Sequence, residues 1–401
     1  MPNRKLFFAS PLPETEVLSI AGLRIPKYAG EFWTSKQRQS SSLHEISYRA
    51  CFKAQLPRFF IQTLTNEGEV VYDPFSGRGT TILEGALLGR NVAANDVNPL
   101  SEILSRPRLT PPTLPAIAAR LAAIDLNRNL RAEIDLSMFY HRETEGELVS
   151  LKTYFSRRRH RGEEDDIDRW IRMIATNRLT GHSGGFFSVY TLPPNQAVTA
   201  DRQRKINVRL DQQPPRRDVA AIILRKSKTL LRNVTAEDSA RLAEAAQRAR
   251  FLTSDARATP GLADASVDLT VTSPPFLDVV NYAQDNWLRC WFNELPEETI
   301  GKNITMSRTL DDWCDVMLGV FRELARVTKT GGWVAFEVGE VRHSSIRLDE
   351  AVIPLGLRSG FVCEGVVVNT QQFTKTSNIW GISNNAKGTN SNRIVLFRKP
   401  E

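Results

Sequence analysis

The stretch Val70-Val71-Tyr72-Asp73-Pro74-Phe75-Ser76-Gly77-Arg78-Gly79-Thr80-Thr81 decides how this chain of 401 residues is read. Val70-Val71-Tyr72 has the apolar, β-branched character of a short buried strand ending at Asp73. Thr80 to Leu88 carries helical periodicity, with Gly89 as a natural stop. Between them lies a glycine-bearing turn. Gly77 and Gly79 remove side chains where a ligand would have to touch backbone, and amides at the start of the following helix point outward. Asn91 to Asn95 then reads as a second strand ending at Asp96, nineteen positions after Gly77. A carboxylate placed there can hold ribose hydroxyls.

The turn fits GxGxxG poorly and lacks the GK[ST] ending of a phosphate loop, which argues against a nucleotide triphosphatase. Asp73 would repel a pyrophosphate but suits a ligand with a cationic amino-acid tail. S-adenosylmethionine has such a tail and no phosphate.

Further along, strands are expected at Phe251 to Ser254 (followed by Asp255), Val267 to Thr272, Trp333 to Val338, Phe361-Val362 with Val366 to Val368, and Arg393 to Phe397. The last two should form an antiparallel pair. Helices are expected near 44–65, 237–249 and 311–327. Alternating strands and helices predict a doubly wound, mostly parallel α/β sheet. The sequence divides into an irregular N-terminal arm (1–43), a catalytic unit (44–100 and 236–401) and an inserted region (101–235). The run Arg157-Arg158-Arg159-His160-Arg161 before Glu163 to Asp166 reads as a solvated loop.

The strand ending at Thr272 runs straight into Ser273-Pro274-Pro275-Phe276. Two prolines stiffen the backbone while keeping their carbonyls as acceptors. Ser273 and the Pro274 carbonyl could accept hydrogens of an exocyclic amine, and the Phe276 ring offers a base a stacking face. Such a reaction is governed by positioning and needs no side-chain nucleophile. A structural proline turn is the simpler reading of this segment alone. Paired with the glycine turn, in a fold whose first and fourth strands flank the switch point, it points to chemistry.

Together these motifs resemble the DNA amino-methyltransferases that form N4-methylcytosine or N6-methyladenine. The resemblance implies a seven-stranded methyltransferase sheet, with S-adenosylmethionine held by Asp73, Pro74, Phe75, Gly77, Gly79, Thr80, Asp96 and Asp255. Tyr48 to Phe60, including Phe52, resembles the helix that lines the methionine end of the cofactor. Ser273, Pro274, Pro275 and Phe276 resemble the catalytic tetrapeptide, and Ser at its first place is similar to the cytosine-N4 branch. Asn281-Tyr282, Trp287 to Trp291 and Arg326 to Gly332 resemble weaker family segments. DNA is the implied partner, and the resemblance leaves room for a cognate restriction endonuclease beside it. One departure is plain: the long insert falls between the second and third strands, whereas the family usually places target recognition later.

The formal charge of +8 favours a polyanionic partner. Basic residues crowd the end of the insert, with Arg202, Arg204, Lys205 and Arg209 taken as DNA contacts and Arg216 to Arg232 beyond them. Gly184 to Tyr190 and Pro193-Pro194-Asn195-Gln196 precede them, and Asn and Gln can read base edges. A solvated helical face is the competing reading of Arg225 to Arg232. Four cysteines without a CxxC pair and five scattered histidines give no metal site or disulfide framework. No Cys follows a Pro, which excludes the carbon-5 cytosine chemistry. No run approaches the ~20 apolar residues of a membrane helix, so a cytoplasmic protein is expected. An RNA amino-methyltransferase, a DNA-binding protein on an inactive scaffold and an NAD-linked oxidoreductase are the competing functions.

Overall fold

The structure, a computed structural model, describes residues 14–20, 22–33, 40–48, 51–192, 198–275, 282–296, 309–338, 340–341, 346–369 and 392–401. Its centre is a nine-stranded sheet. In chain order the strands are β1 (Glu14–Ile20), β2 (Leu23–Gly30), β3 (Val70–Asp73), β4 (Asn91–Asn95), β5 (Arg250–Leu252), β6 (Val267–Thr272), β7 (Thr328–Val338), β10 (Val362–Asn369) and β11 (Asn392–Arg398); β8 (Glu340–Val341) and β9 (Ile346–Arg347) form a separate two-stranded ladder. The spatial order is β1-β2-β10-β11-β7-β6-β3-β4-β5. The run β5-β4-β3-β6-β7 is parallel throughout, and β11 is antiparallel to both β7 and β10.

The expected doubly wound sheet is therefore present, with its last pair antiparallel. The chain steps outward from β3 to β5, then returns to lay β6 on the other side of β3. That reversal is the topological switch point, and the carboxyl ends of β3 and β6 flank it.

The N-terminal segment differs from the irregular arm expected. β1 and β2 pair antiparallel as a hairpin with Gly22 at φ +77°, and β2 pairs in parallel with β10. Ile25 is buried while its strand neighbours are not. Alternation of this weak kind is easily missed in a short polar strand, and the hairpin widens seven core strands to nine.

The helices are α1 (Gln55–Leu64), α2 (Thr80–Leu87), α3 (Leu100–Ser105), α4 (Leu114–Ala123), α5 (Arg142–His160), α6 (Asp166–Arg178), α7 (Ala200–Arg209), α8 (Val219–Leu231), α9 (Ala236–Arg248), α10 (Tyr282–Asn293), α11 (Leu310–Val327) and α12 (Leu348–Arg358). The helix expected from residue 44 starts only at 55. Pro57 sits in its first turn, and its ring would clash with a helical carbonyl four residues earlier. Residues 45–48 instead carry no regular structure, and the Ile46 carbonyl faces Arg78 of the glycine turn.

Helices α4 to α8 of the insert share one core with α2, β4, α9 and α10, built around Leu83, Leu151, Trp170, Ile174, Ile223 and Leu242. The Trp170 indole N–H donates to Ser227 Oγ at 3.1 Å. The basic run 157–161 is no solvated loop. It ends α5, where cations complement the carbonyl end of the helix. Arg158 Nε reaches the buried Asp168 at 2.6 Å, and Arg159 pairs with Glu294 at 2.9 Å. Arg225 lies on α8, so the helical reading of that stretch holds.

Candidate active site

Asp73 ends β3 with its carboxyl fully buried. Thr272, which ends β6, donates its hydroxyl to Asp73 Oδ1 at 2.6 Å, and the Phe75 amide donates to the same oxygen at 3.1 Å. Thr81 Oγ1, in the first turn of α2, donates to the Val271 carbonyl at 3.1 Å. The glycine turn and the Ser-Pro-Pro segment are thus fastened to each other, through side chains as well as through β3–β6 pairing.

The turn itself needs both glycines. Gly77 and Gly79 have φ of +49° and +72°. A Cβ on Gly79 would lie 2.3 Å from Ser105 Oγ, whereas the nearest atom to one on Gly77 would be in the Tyr48 ring, at 3.4 Å. Left-handed backbone costs a non-glycine residue about 1–2 kcal/mol before any clash. Gly79→Ala should therefore destabilise the fold by more than about 2 kcal/mol. The urea midpoint reads this directly, and an unchanged midpoint would refute the packing described.

Asp96 receives the Gly77 amide on Oδ2 and the Asn98 amide on Oδ1, both at 2.9 Å. A carboxylate has about four acceptor positions, so capacity remains for hydroxyl donors. Pro74 is buried, with its carbonyl accepting from Asn95 Nδ2 at 3.2 Å; Phe75 is half-buried, and Thr80 is buried beside Arg78. Phe52 is half-buried against the cluster holding Leu56 and Phe60.

Burial pushes the carboxyl of Asp73 up to about 7 and that of Asp96 up to about 6, against an ordinary value of 3.8. Between about pH 4 and pH 7 the folded chain then holds protons that the unfolded chain has released, so these groups' contribution to stability falls as pH rises through that window. Asp73→Asn should flatten that part of the profile in thermal melts. An identical pH dependence in variant and wild type would contradict it.

On the other strand, Ser273 is half-buried and Pro274 buried. The Pro275 carbonyl accepts from Trp313 Nε1 of α11 at 3.0 Å, which anchors the segment. Among the described residues, neither Ser273 Oγ nor the Pro274 carbonyl takes part in a hydrogen bond, so both stand as open acceptors at the mouth of the switch point. Phe276, Asn281 and Pro193 to Gln196 lie outside the described residues, as does the side chain of Tyr282.

The structure does not gather every expected residue. Asp255 follows β5, and its carboxylate is clasped by Arg257 at 2.6 Å, which holds it below the ordinary range. Arg202, Lys205 and Arg209 lie exposed on α7, and Arg204 there is tied to Asp135 and Asp201 at 2.8 Å each. Arg216 is equally committed, to Glu143 and Glu147.

One positioning residue had no sequence signal. Arg108 is fully buried, donates to the Leu104 and Leu43 carbonyls, and closes on the Arg78 carbonyl inside the glycine turn. Burial and the neighbouring Arg78 lower its guanidinium to about 9. Arg78 in turn donates to the Ile46 carbonyl at 2.8 Å. The links to Leu43, Arg78 and Ile46 span 30 to 65 positions, beyond any local motif. Among the described residues no group of His, Cys, Asp or Glu could hold a metal ion, and no helix is long and apolar enough to cross a membrane.

The glycine turn after the first parallel strand and the Ser-Pro-Pro segment fastened beside it thus meet at the switch point, where sheets of this kind bind ligands. Residues 22–104 match the DNA methylase family of N6 and N4 methyltransferases. It is 33% identical over 149 residues to the type II methyltransferase M.MvaI of Kocuria varians, across 36% of this chain and 29% of that one. It is 29% identical over 76 residues to the type II methyltransferase M.MjaII of Methanocaldococcus jannaschii, across 19% and 14%. The matches thus span less than a third of either relative. Among solved structures, the rRNA methyltransferase aviRa of Streptomyces viridochromogenes is similar at 13% identity and a TM-score of 0.36, over 92% of this chain and 94% of that one. The geranyl diphosphate C-methyltransferase of Streptomyces coelicolor A3(2) is similar at 9% identity and a TM-score of 0.33, over 86% and 80%.

Proposed function

We propose that the protein transfers a methyl group from S-adenosylmethionine to the exocyclic N4 amine of cytosine in double-stranded DNA. The observation that carries this reading is the Thr272–Asp73 hydrogen bond, which sets two open acceptors beside a side-chain-free turn at the switch point. The donor set suits the cofactor. Asp96 has acceptor capacity for ribose hydroxyls, Asp73 and its surroundings suit a cationic tail, and Gly77 leaves backbone open to close approach. Bound there, S-adenosylmethionine would supply an electrophilic methyl group.

The chain's own part is to hold and orient the base. Ser273 Oγ and the Pro274 carbonyl accept the amine hydrogens, which aligns the nitrogen lone pair; the surplus proton of the methylated amine passes to solvent water. The base is extruded from the duplex to reach them, and Phe276 is assigned the stacking face. Pro74, Phe75, Gly79, Thr80 and Phe52 shape the cofactor side, and Asp255 is assigned the adenine end. Arg202, Arg204, Lys205 and Arg209 of α7 are assigned to DNA. Ser273, rather than an acid or amide at that place, favours cytosine over adenine.

Calorimetry with S-adenosylmethionine, followed by incorporation of labelled methyl into duplex DNA and into transfer RNA, tests the reading. Cofactor binding with labelled DNA is the expected result. Absence of cofactor affinity would sink the enzyme, and label confined to RNA would replace the substrate.

A further inference from the structure

Cations drawn inside the insert are mostly matched by acids. Arg120 and Arg158 meet Asp168, Arg172 meets Glu164, and Arg216 meets Glu147. Arg178, the last residue of α6, is different. It is 9% exposed, has no carboxylate partner among the described residues, and its Nε makes no hydrogen bond. Its Nη2 donates to Asn177 Oδ1 at 2.6 Å, and its guanidinium lies 4.1 Å from the centre of the Phe186 ring. That ring is seated against Gly181, where a Cβ would fall 2.3 Å away.

Lys226 of α8 lies within electrostatic reach of Arg178, is half-buried, and makes no ion pair or hydrogen bond among the described residues. The nearby acid, Glu45, is already committed to Arg232. Burial and neighbouring positive charge lower Arg178 to about 10 and Lys226 to about 8. The carbonyl end of α6 offers Arg178 only a partial negative charge. Arg289 of α10 adds a third positive charge in reach of Arg178, and it lies 5.9 Å from the Tyr48 ring that borders Gly77. The cations therefore sit on the insert side of the candidate site. Desolvated positive charge without a counterion is unfavourable unless an anion completes it.

We infer that Arg178 and Lys226 form a pocket for a backbone phosphate of the DNA strand, next to the extruded base. This rests on DNA being the substrate, and it adds a buried anchor to the exposed cations of α7. A phosphate contact positions the duplex without reading sequence.

Binding of mixed-sequence duplex DNA across a salt series tests it, with Lys226→Ala, Lys226→Glu and, as a control on the same helix, the exposed Lys228→Ala. Lys226→Ala should weaken binding alike for all sequences and lower the salt slope by ~0.9, the value of one phosphate contact. Lys226→Glu should weaken it further, with cofactor affinity kept. Unchanged slopes in both Lys226 variants, while the wild type still binds and methylates DNA, would overturn the pocket and leave the proposed function standing. Weakened transfer-RNA binding with DNA binding untouched would also overturn it. A wild-type protein without affinity for duplex DNA would remove both readings.

Discussion

Replacing Ser273 with Ala is expected to cut methyl transfer about a hundredfold while leaving S-adenosylmethionine affinity nearly unchanged. The hydroxyl is half-buried, makes no hydrogen bond among the described residues, and follows directly on Thr272, which is fastened to Asp73. Its removal should not loosen the glycine turn. It would deprive the amine of one of two acceptors, and misplacement of a reacting atom by about 1 Å costs about a hundredfold. Phe276→Ala should behave in the same direction, since stacking of a base on an aromatic ring is worth about 1–3 kcal/mol. Steady-state rates with saturating cofactor, beside calorimetric affinities, separate the two effects. Equal loss of turnover and of cofactor binding in Ser273→Ala would assign the residue to the fold of the turn.

Asp96→Ala has the opposite signature. The carboxylate now receives the Gly77 and Asn98 amides, and its remaining acceptors are assigned to the cofactor ribose. Hydrogen bonds to a charged group are worth about 1.5–3 kcal/mol, so affinity for S-adenosylmethionine should fall by at least about tenfold. Turnover at saturating cofactor should change far less. Because the variant also strips the Gly77 amide of its partner, Asp96→Asn is the companion. It keeps an acceptor for the turn, and its affinity should fall between the other two. Unchanged affinity in both variants would end the ribose assignment.

Local chemistry made the two ends of the parallel strands readable. A short apolar run ending in Asp73, two glycines and a helix start form one continuous signal, and so do Val267 to Thr272 with the prolines after them. β4, β6, α2 and α11 accordingly lie within a residue of the expected bounds. The switch point followed from strand order alone. What the residues did not announce was held by long-range contacts. The β1–β2 hairpin joins the sheet through the edge that β10 offers to β2. Arg108 braces the turn through two backbone carbonyls from distant segments, those of Leu43 and Arg78, a role that no spacing encodes. Charge counting misjudged the insert for a related reason. A dense run of Arg and Lys looks like one surface in sequence, yet folding sends Arg158, Arg159 and Arg216 to carboxylates and buries Arg178 beyond the run.

Cytosine N4 as the target rests on Ser273 more than on any other residue, and it can be tested without knowing the recognition sequence. The protein would be expressed in a host that lacks DNA methylation, and the modified bases of the genome mapped by sequencing. N4-methylcytosine at one short, recurring sequence is the predicted result. N6-methyladenine in its place, or unmodified DNA from a host in which the folded protein is shown to bind S-adenosylmethionine, would contradict it.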